Sequence, residues 1–338
     1  MTLSRGGLVE SRHRAYACVA KADGELLLAL GDPDFTSFMR SSAKPLQAVA
    51  AVASGAIDAF RVNERELAVI TGSHGGQSIH TETVAAVLAK GGLDATALQC
   101  GVHLPLDERR RDELTCRGEK PSALHHNCSG KHAGMLLTAR HLGLDINGYL
   151  QPEHQVQQLI LQVMAEMSGM APEAIAIGVD GCSVPAHAVS MRAAARAYAA
   201  LAQPDVLPAR MAAAAARINS AMHRHPEMVA ATRDRICTEL IKAGAAVGLV
   251  AKAGAEGYYA AGWRDAKTGE GLGLAVKLED GIQRGRDPLV IAILQRFGAL
   301  PVELPPALAP FTAGEIKNWR GLPVGEVRVS LDDAVFVS

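Results

Sequence analysis

The sequence predicts an α+β protein in which a β-sheet is layered with helices. Apolar runs flanking turn residues lie near both ends of the chain, at 15–30 and 247–278, while stretches with helical spacing fill the middle. Strands and helices do not alternate as a βαβ repeat requires. The 338 residues suit one large domain or about two ordinary ones. The expectation is a single domain over 1–338, with a terminal β-rich part (1–75 plus 245–338) and a helical middle (76–244).

The elements follow in order. Residues 15–21 and 25–30 flank Asp23-Gly24 and read as a hairpin. Ser41-Ser42-Ala43-Lys44-Pro45 supplies hydroxyls and an early proline for a helix over 46–54, stopped at Gly55. Residues 67–72 read as a buried strand, followed by the small residues Ser73 to Gly76 and a helix over 78–90. Residues 100–124 are charged and aperiodic, hence an irregular crossing. A helix opens in the cluster at 125–132 and runs to His141. Residues 174–179 form a strand that delivers Asp180 to Pro185, and helices follow over 190–202, 208–223 and 226–243. Strands at 247–252, 257–264 and 271–278 and a helix over 288–297 precede a proline-rich tail.

Charge and composition exclude several functions. Lysine and arginine total 34 against 35 acidic residues, a net charge of −1, which offers no global field for nucleic acid or an anionic membrane. Aromatics make up 4% of the chain, too few for a base-stacking platform, so a small polar ligand is expected. No apolar run approaches the ~18 residues of a membrane span. Residues 1–10 are polar and unlike a signal peptide, so a cytoplasmic location is expected. Six cysteines are too few for a disulfide framework in a chain this long.

Several clusters can carry chemistry. Ser41 and Lys44 are spaced i, i+3 at a helix start, so the amine can reach the hydroxyl and act as its base, given a lysine pKa lowered toward ~7–8. The same residues also fit a cap serine followed by a solvated lysine. Ser73 follows the 67–72 run and precedes Gly75-Gly76, where free amides can face an anion, and His74 is a candidate donor. Those glycines equally suit an ordinary turn. Lys252 can bring a second amine to the site, or be an exposed strand-end residue. Lys267-Thr268-Gly269 imitates the K-T-G element of penicillin-recognising enzymes but sits in a polar turn, and no S-D-N accompanies it. Cys128, Lys131 and Cys182 make a zinc-like donor set of two thiolates and a nitrogen, with His125, His126 and His132 as substitutes. Buried cysteines are also ordinary core residues.

Together, Arg40-Ser41-Ser42-Ala43-Lys44-Pro45-Leu46-Gln47, Ser73-His74-Gly75-Gly76, the run His125 to Met135, Asp180 to Pro185 and Lys252 to Gly257 resemble the Rhizobium etli-type, thermolabile L-asparaginase family. The resemblance runs from about residue 5 to 296. It implies a fold related to serine β-lactamases, penicillin-binding proteins and glutaminases, a homodimer, and hydrolysis of L-asparagine to L-aspartate and ammonia. It further implies two serine–lysine pairs, Ser41 with Lys44 and Ser73 with Lys252. Ser41 is then the nucleophile, although the two serines can exchange roles. Cys128, Lys131 and Cys182 match the zinc positions, and Arg40, His74, Asn127 and Asp180 fall at or beside substrate contacts. Residues 230–235 depart from the pattern and leave Arg233 and Arg235 as candidates for the substrate carboxylate. Two rivals stand beside this reading: a penicillin-recognising serine hydrolase, and a non-catalytic zinc- or ligand-binding module.

Overall fold

The computed structural model describes residues 1–337, and it is α+β. Six antiparallel strands form the central sheet in the order Val335–Phe336, Leu26–Leu30, Ala15–Lys21, Gly271–Leu278, Tyr258–Arg264 and Val250–Ala253. Helix Met191–Ala202 covers one face. It lies close because Gly273 and Gly262 carry no side chain: a Cβ there would stand 1.8 Å from the Ala195 carbonyl oxygen and 2.2 Å from that of Tyr198. Helix Gln283–Arg296 packs on the opposite face, where Gly285 meets Leu278, five residues from Gly273 and so on the other side of the pleat. The strands are therefore buried along nearly their whole length rather than alternating, with only Arg264 and Lys277 half-buried.

Beside the sheet, helix Lys44–Ala53 is buried from Lys44 to Val52 and packs against Ser129–His141, Gln155–Ser168 and Ala209–Arg224. A single contiguous core runs from Ala17 to Leu308. Thr36–Phe38, Pro185–Ser190 and Ala176–Val179 make a small sheet. A four-stranded sheet joins the two ends of the chain, in the order Gly314–Lys317, Pro323–Arg328, Thr2–Arg5 and Leu8–Arg12. Among the described residues no helix is long and apolar enough to cross a membrane.

Four expectations change. The strand expected at 67–72 is the end of helix Glu64–Ile70, set by a capping box in which Asn63 accepts from the Glu66 amide while Glu66 accepts from the Asn63 amide. The irregular stretch 100–124 contains helix Glu108–Cys116, capped by the Asp107 carboxylate. The helix expected over 226–243 breaks into Pro226–Val229 and Ile236–Ala243. The carbonyls of Val229 and Ala230 accept from the amides of Ser73 and Gly75 instead of continuing the helix. The tail and residues 1–12 hold strands. Helix Gln155–Ser168 had no expected counterpart.

Candidate active site

A strained turn starts the site. Strand Thr36–Phe38 leads to Arg40, held at φ 51°, and the 3-10 turn Arg40–Ala43 then feeds helix Lys44–Ala53. Lys44 points inward. Its Nζ donates to the Gly72 carbonyl at 2.8 Å, to Ser73 Oγ at 2.8 Å and to the Asn127 carbonyl at 3.2 Å. Lys252, on the strand that ends the central sheet, donates from Nζ to Ser73 Oγ at 2.9 Å and to the Ala253 carbonyl at 2.9 Å. Both amines therefore hold one hydroxyl, that of Ser73. Lys44 keeps only a backbone link to Ser41, its amide donating to the Ser41 carbonyl, and among the described residues its Nζ makes no hydrogen bond to Ser41 Oγ, because the tight turn sends the lysine stem into the core. Ser41 instead lines a cavity of about 560 Å³ together with Ser73, Asn127, Arg235, Cys237 and Arg286.

The two lysines differ. Burial lowers the pKa of each, and it brings Lys252 to about 7, helped by the charges of Lys44 and Arg235. Lys44 has an acceptor for each of its ammonium protons, the two carbonyls and Ser73 Oγ. Such a setting favours the cation.

The loop after Ser73 offers no anion nest of the expected kind. The amides of Ser73 and Gly75 donate to Val229 and Ala230, and that of Gly76 donates to His74 Nδ1 at 3.2 Å. His74 is buried against Ser129, whose Oγ lies 2.9 Å from Nε2. Ser129 Oγ donates to the Leu124 carbonyl, so Nε2–H is the donor and the imidazole is neutral, in keeping with a pKa that burial and His80 hold well below the usual range. Both ring nitrogens are engaged within the protein, and His74 thus braces the loop.

Arg40 Nε donates to Asp180 Oδ1 at 2.8 Å, joining the start of the serine turn to the 180–184 turn. Asn127 is held from behind, since its amide donates to His103 Nε2 at 3.0 Å. Of the two arginines in doubt, Arg233 pairs with Asp107 at 3.0 Å, whereas Arg235 lines the cavity and donates to the Ser73 carbonyl at 3.3 Å.

The residues expected to hold zinc do meet. Lys131 Nζ lies 3.0 Å from Cys182 Sγ, and the Cys182 thiol donates to Cys128. That hydrogen bond, with the charges of Lys44 and Lys131, holds the Cys128 thiol well below its ordinary value against the effect of burial. Burial pulls Lys131 down, but the adjoining sulfurs outweigh it and keep the amine protonated. Two buried sulfurs and an amine form a donor set that fits a soft tetrahedral ion such as zinc, which would displace the remaining protons. Among the described residues no three His, Cys, Asp or Glu side chains cluster, so Lys131 would have to be the third ligand. Helix Ser129–His141, which carries Lys131, packs closely on helix Glu64–Ile70 because of Gly130, where a Cβ would stand 2.3 Å from the Val69 carbonyl oxygen.

The L-asparaginase II family matches residues 1–329. The chain belongs to that family. It is accordingly an amidohydrolase of the asparaginase and glutaminase type. No curated protein sequence matches it. Among solved structures it is similar to a Bacillus glutaminase in the presence of 4.3 M NaCl, at 14% identity and a TM-score of 0.39, over 86% of this chain and 92% of that one. It is also similar to a β-lactamase from Burkholderia ambifaria, at 16% identity and a TM-score of 0.36, over 79% and 85%.

For a member of the asparaginase family, the cavity holds residues that motif reading passes over. Cys237 accepts from the Ala253 amide at 3.1 Å beside Lys252. Arg286 is buried, pairs with Asp287 and donates to the Gly254 carbonyl at 3.2 Å, which fixes the strand end that presents Lys252. Cys237 sits within an apolar helical pattern and Arg286 within a polar run before Pro288, and neither gives a local signal. Only the fold brings them to the serines.

Proposed function

We propose that the protein hydrolyses the side-chain amide of L-asparagine to L-aspartate and ammonia through an acyl-enzyme. The observation that carries this reading is the convergence of Lys44 and Lys252 on Ser73 Oγ in a cavity that Ser41 also lines. Ser41 attacks the amide carbon, and its proton passes through the Ser73 hydroxyl to Lys252, which is neutral in part near pH 7. Lys44 remains the ammonium that steadies Ser73. A bond forms between Ser41 Oγ and carbon, the carbon–nitrogen bond breaks, and the leaving nitrogen takes the proton from Lys252. Water then cleaves the ester by the same relay. Arg235 meets the substrate α-carboxylate. Cys128, Lys131 and Cys182 would hold zinc, which when bound would supply a fixed charge and a cross-link between the segments carrying Asn127 and Asp180. A cytoplasmic homodimer completes the reading.

A second reading has Ser73 attack directly, favoured because Ser73 is the serine that both amines hold. An electrophilic asparagine analogue separates the two: after peptide mass spectrometry the adduct is expected on Ser41, and an adduct on Ser73 exchanges the roles. Incubation with asparagine, glutamine and a chromogenic β-lactam is expected to release ammonia from asparagine. Ring opening without ammonia would move the assignment to a penicillin-recognising hydrolase, and metal binding with neither reaction to a zinc-binding module.

A further inference from the structure

Arg235 follows a loop that no regular hydrogen-bonding pattern holds, since residues 230–235 lie between two short helices and Asp234 is at φ 56°. Something outside the loop must fix it. Asp107 is placed to do so. Its carboxylate, 5% exposed, accepts from Arg233 Nη2 at 3.0 Å and the Arg110 amide at 2.9 Å through Oδ1, and from Gln77 Nε2 at 2.9 Å through Oδ2. Gln77 extends the clasp: Nε2 also donates to Thr232 Oγ1 at 3.0 Å, and Oε1 accepts from the Thr232 amide at 3.2 Å. The Asp107 amide donates to the Gly75 carbonyl at 2.9 Å, tying the same residue to the loop that carries Ser73. Asp107 thus joins the Ser73 loop through its backbone amide, and the start of helix Glu108–Cys116 and the loop that carries Arg235 through its buried carboxylate.

Resting on the reading that Arg235 meets the substrate α-carboxylate, we propose that Asp107 is a positioning residue for carboxylate recognition, acting through Arg233 and Gln77 to hold Arg235 against the cavity. Asp107 does not itself face the substrate as a ligand. A carboxylate there would repel that of asparagine, and its oxygens are already engaged. Its charge sets the direction of Arg233, and the resulting loop conformation leaves the neighbouring guanidinium of Arg235 directed at the cavity rather than at this acid.

The test compares L-asparagine with 3-aminopropanamide, which is asparagine without its carboxylate, in steady-state assays of ammonia release. The wild-type enzyme is expected to prefer asparagine, and Arg235→Ala to abolish most of that preference. Asp107→Ala and Arg233→Ala are each expected to raise KM for asparagine by roughly 10- to 100-fold with kcat changed little, the size expected for losing charged hydrogen bonds. Both should leave kcat/KM for 3-aminopropanamide near the wild-type value. The double variant should be no worse than either single one. Asp107→Asn, which keeps the shape but sets an amide donor against Gln77 Nε2, should give an intermediate loss and serves if the alanine variant does not fold. Equal losses on both substrates, or full retention of the preference in the Asp107 variants, would overturn the proposal while leaving the role of Arg235 intact. An Arg235→Ala enzyme that still prefers asparagine would remove the reading beneath it as well.

Discussion

Two lysines within 3 Å of one hydroxyl cannot both be charged without cost, and their surroundings decide which gives up its proton. Lys44 has three acceptors, whereas Lys252 has two and a pKa near 7. With Lys252 as base, kcat/KM should rise with pH through an inflection near 7, measured with asparagine at saturating metal. Lys252→Arg, which stays protonated, should lose the inflection and about 10²- to 10⁴-fold in rate. A profile unchanged by that substitution would assign the base elsewhere. Stability follows the same group. Its pKa lies below the ordinary lysine value of 10.5, so the folded state binds fewer protons than the unfolded state between about 7 and 10.5. The penalty for burying the charge is complete below about pH 7 and recedes as pH rises toward 10.5. Lys252→Met should therefore be more stabilising, relative to wild type, at pH 6 than at pH 9 in denaturant unfolding. The lysine and serine residues themselves were legible from their motifs. The contact of Ser73 with Lys252 was legible too, from the resemblance, but the turn of Lys44 away from Ser41 to Ser73 was not, because i, i+3 spacing describes an α-helix while residues 40–43 form a tighter turn.

At the scale of elements, helix Glu64–Ile70 shows how a local signal can be outweighed in reading yet decisive in folding. Val69 and Ile70 suggest a strand, but Asn63 and Glu66 close a capping box one turn earlier. Asn63→Ala should cost about 0.5–2 kcal/mol in denaturant unfolding with activity retained. A neutral result would mean that packing alone sets this helix. The alanine-rich helix Met191–Ala202 depends on a different feature, the bare backbone of Gly273 beneath Ala195. Gly273→Ala must lift that helix or bend the strand, and a loss of about 1–3 kcal/mol is expected by the same measurement. Strands 258–264 and 271–278 were visible because apolar runs flank a clear turn. Helix Glu108–Cys116 was not, since its face is almost wholly polar and only Leu114 is buried among its residues.

For the molecule as a whole, a metal held by Cys128, Lys131 and Cys182 would link distant parts of the chain. One zinc per chain is expected on Cys128, Lys131 and Cys182, detected by metal analysis of unchelated protein. Chelation should raise KM for asparagine, leave kcat comparatively unchanged and lower thermal stability, since a ligand that binds only the folded state stabilises it. Absence of zinc, or normal substrate binding by Cys128→Ser and Cys182→Ser proteins, would reduce the cluster to packed thiols. The sequence by itself determined the α+β class, the central hairpins, the family and the short list of candidate site residues, because those depend on local patterning and on motifs written within a few residues. Tertiary structure alone decided that Ser73 receives both lysines, that His74 braces a loop, and that Arg235 rather than Arg233 faces the cavity. Each of these is set by contacts between segments tens to hundreds of residues apart, and local chain geometry carries no record of which buried donor a distant acceptor will meet.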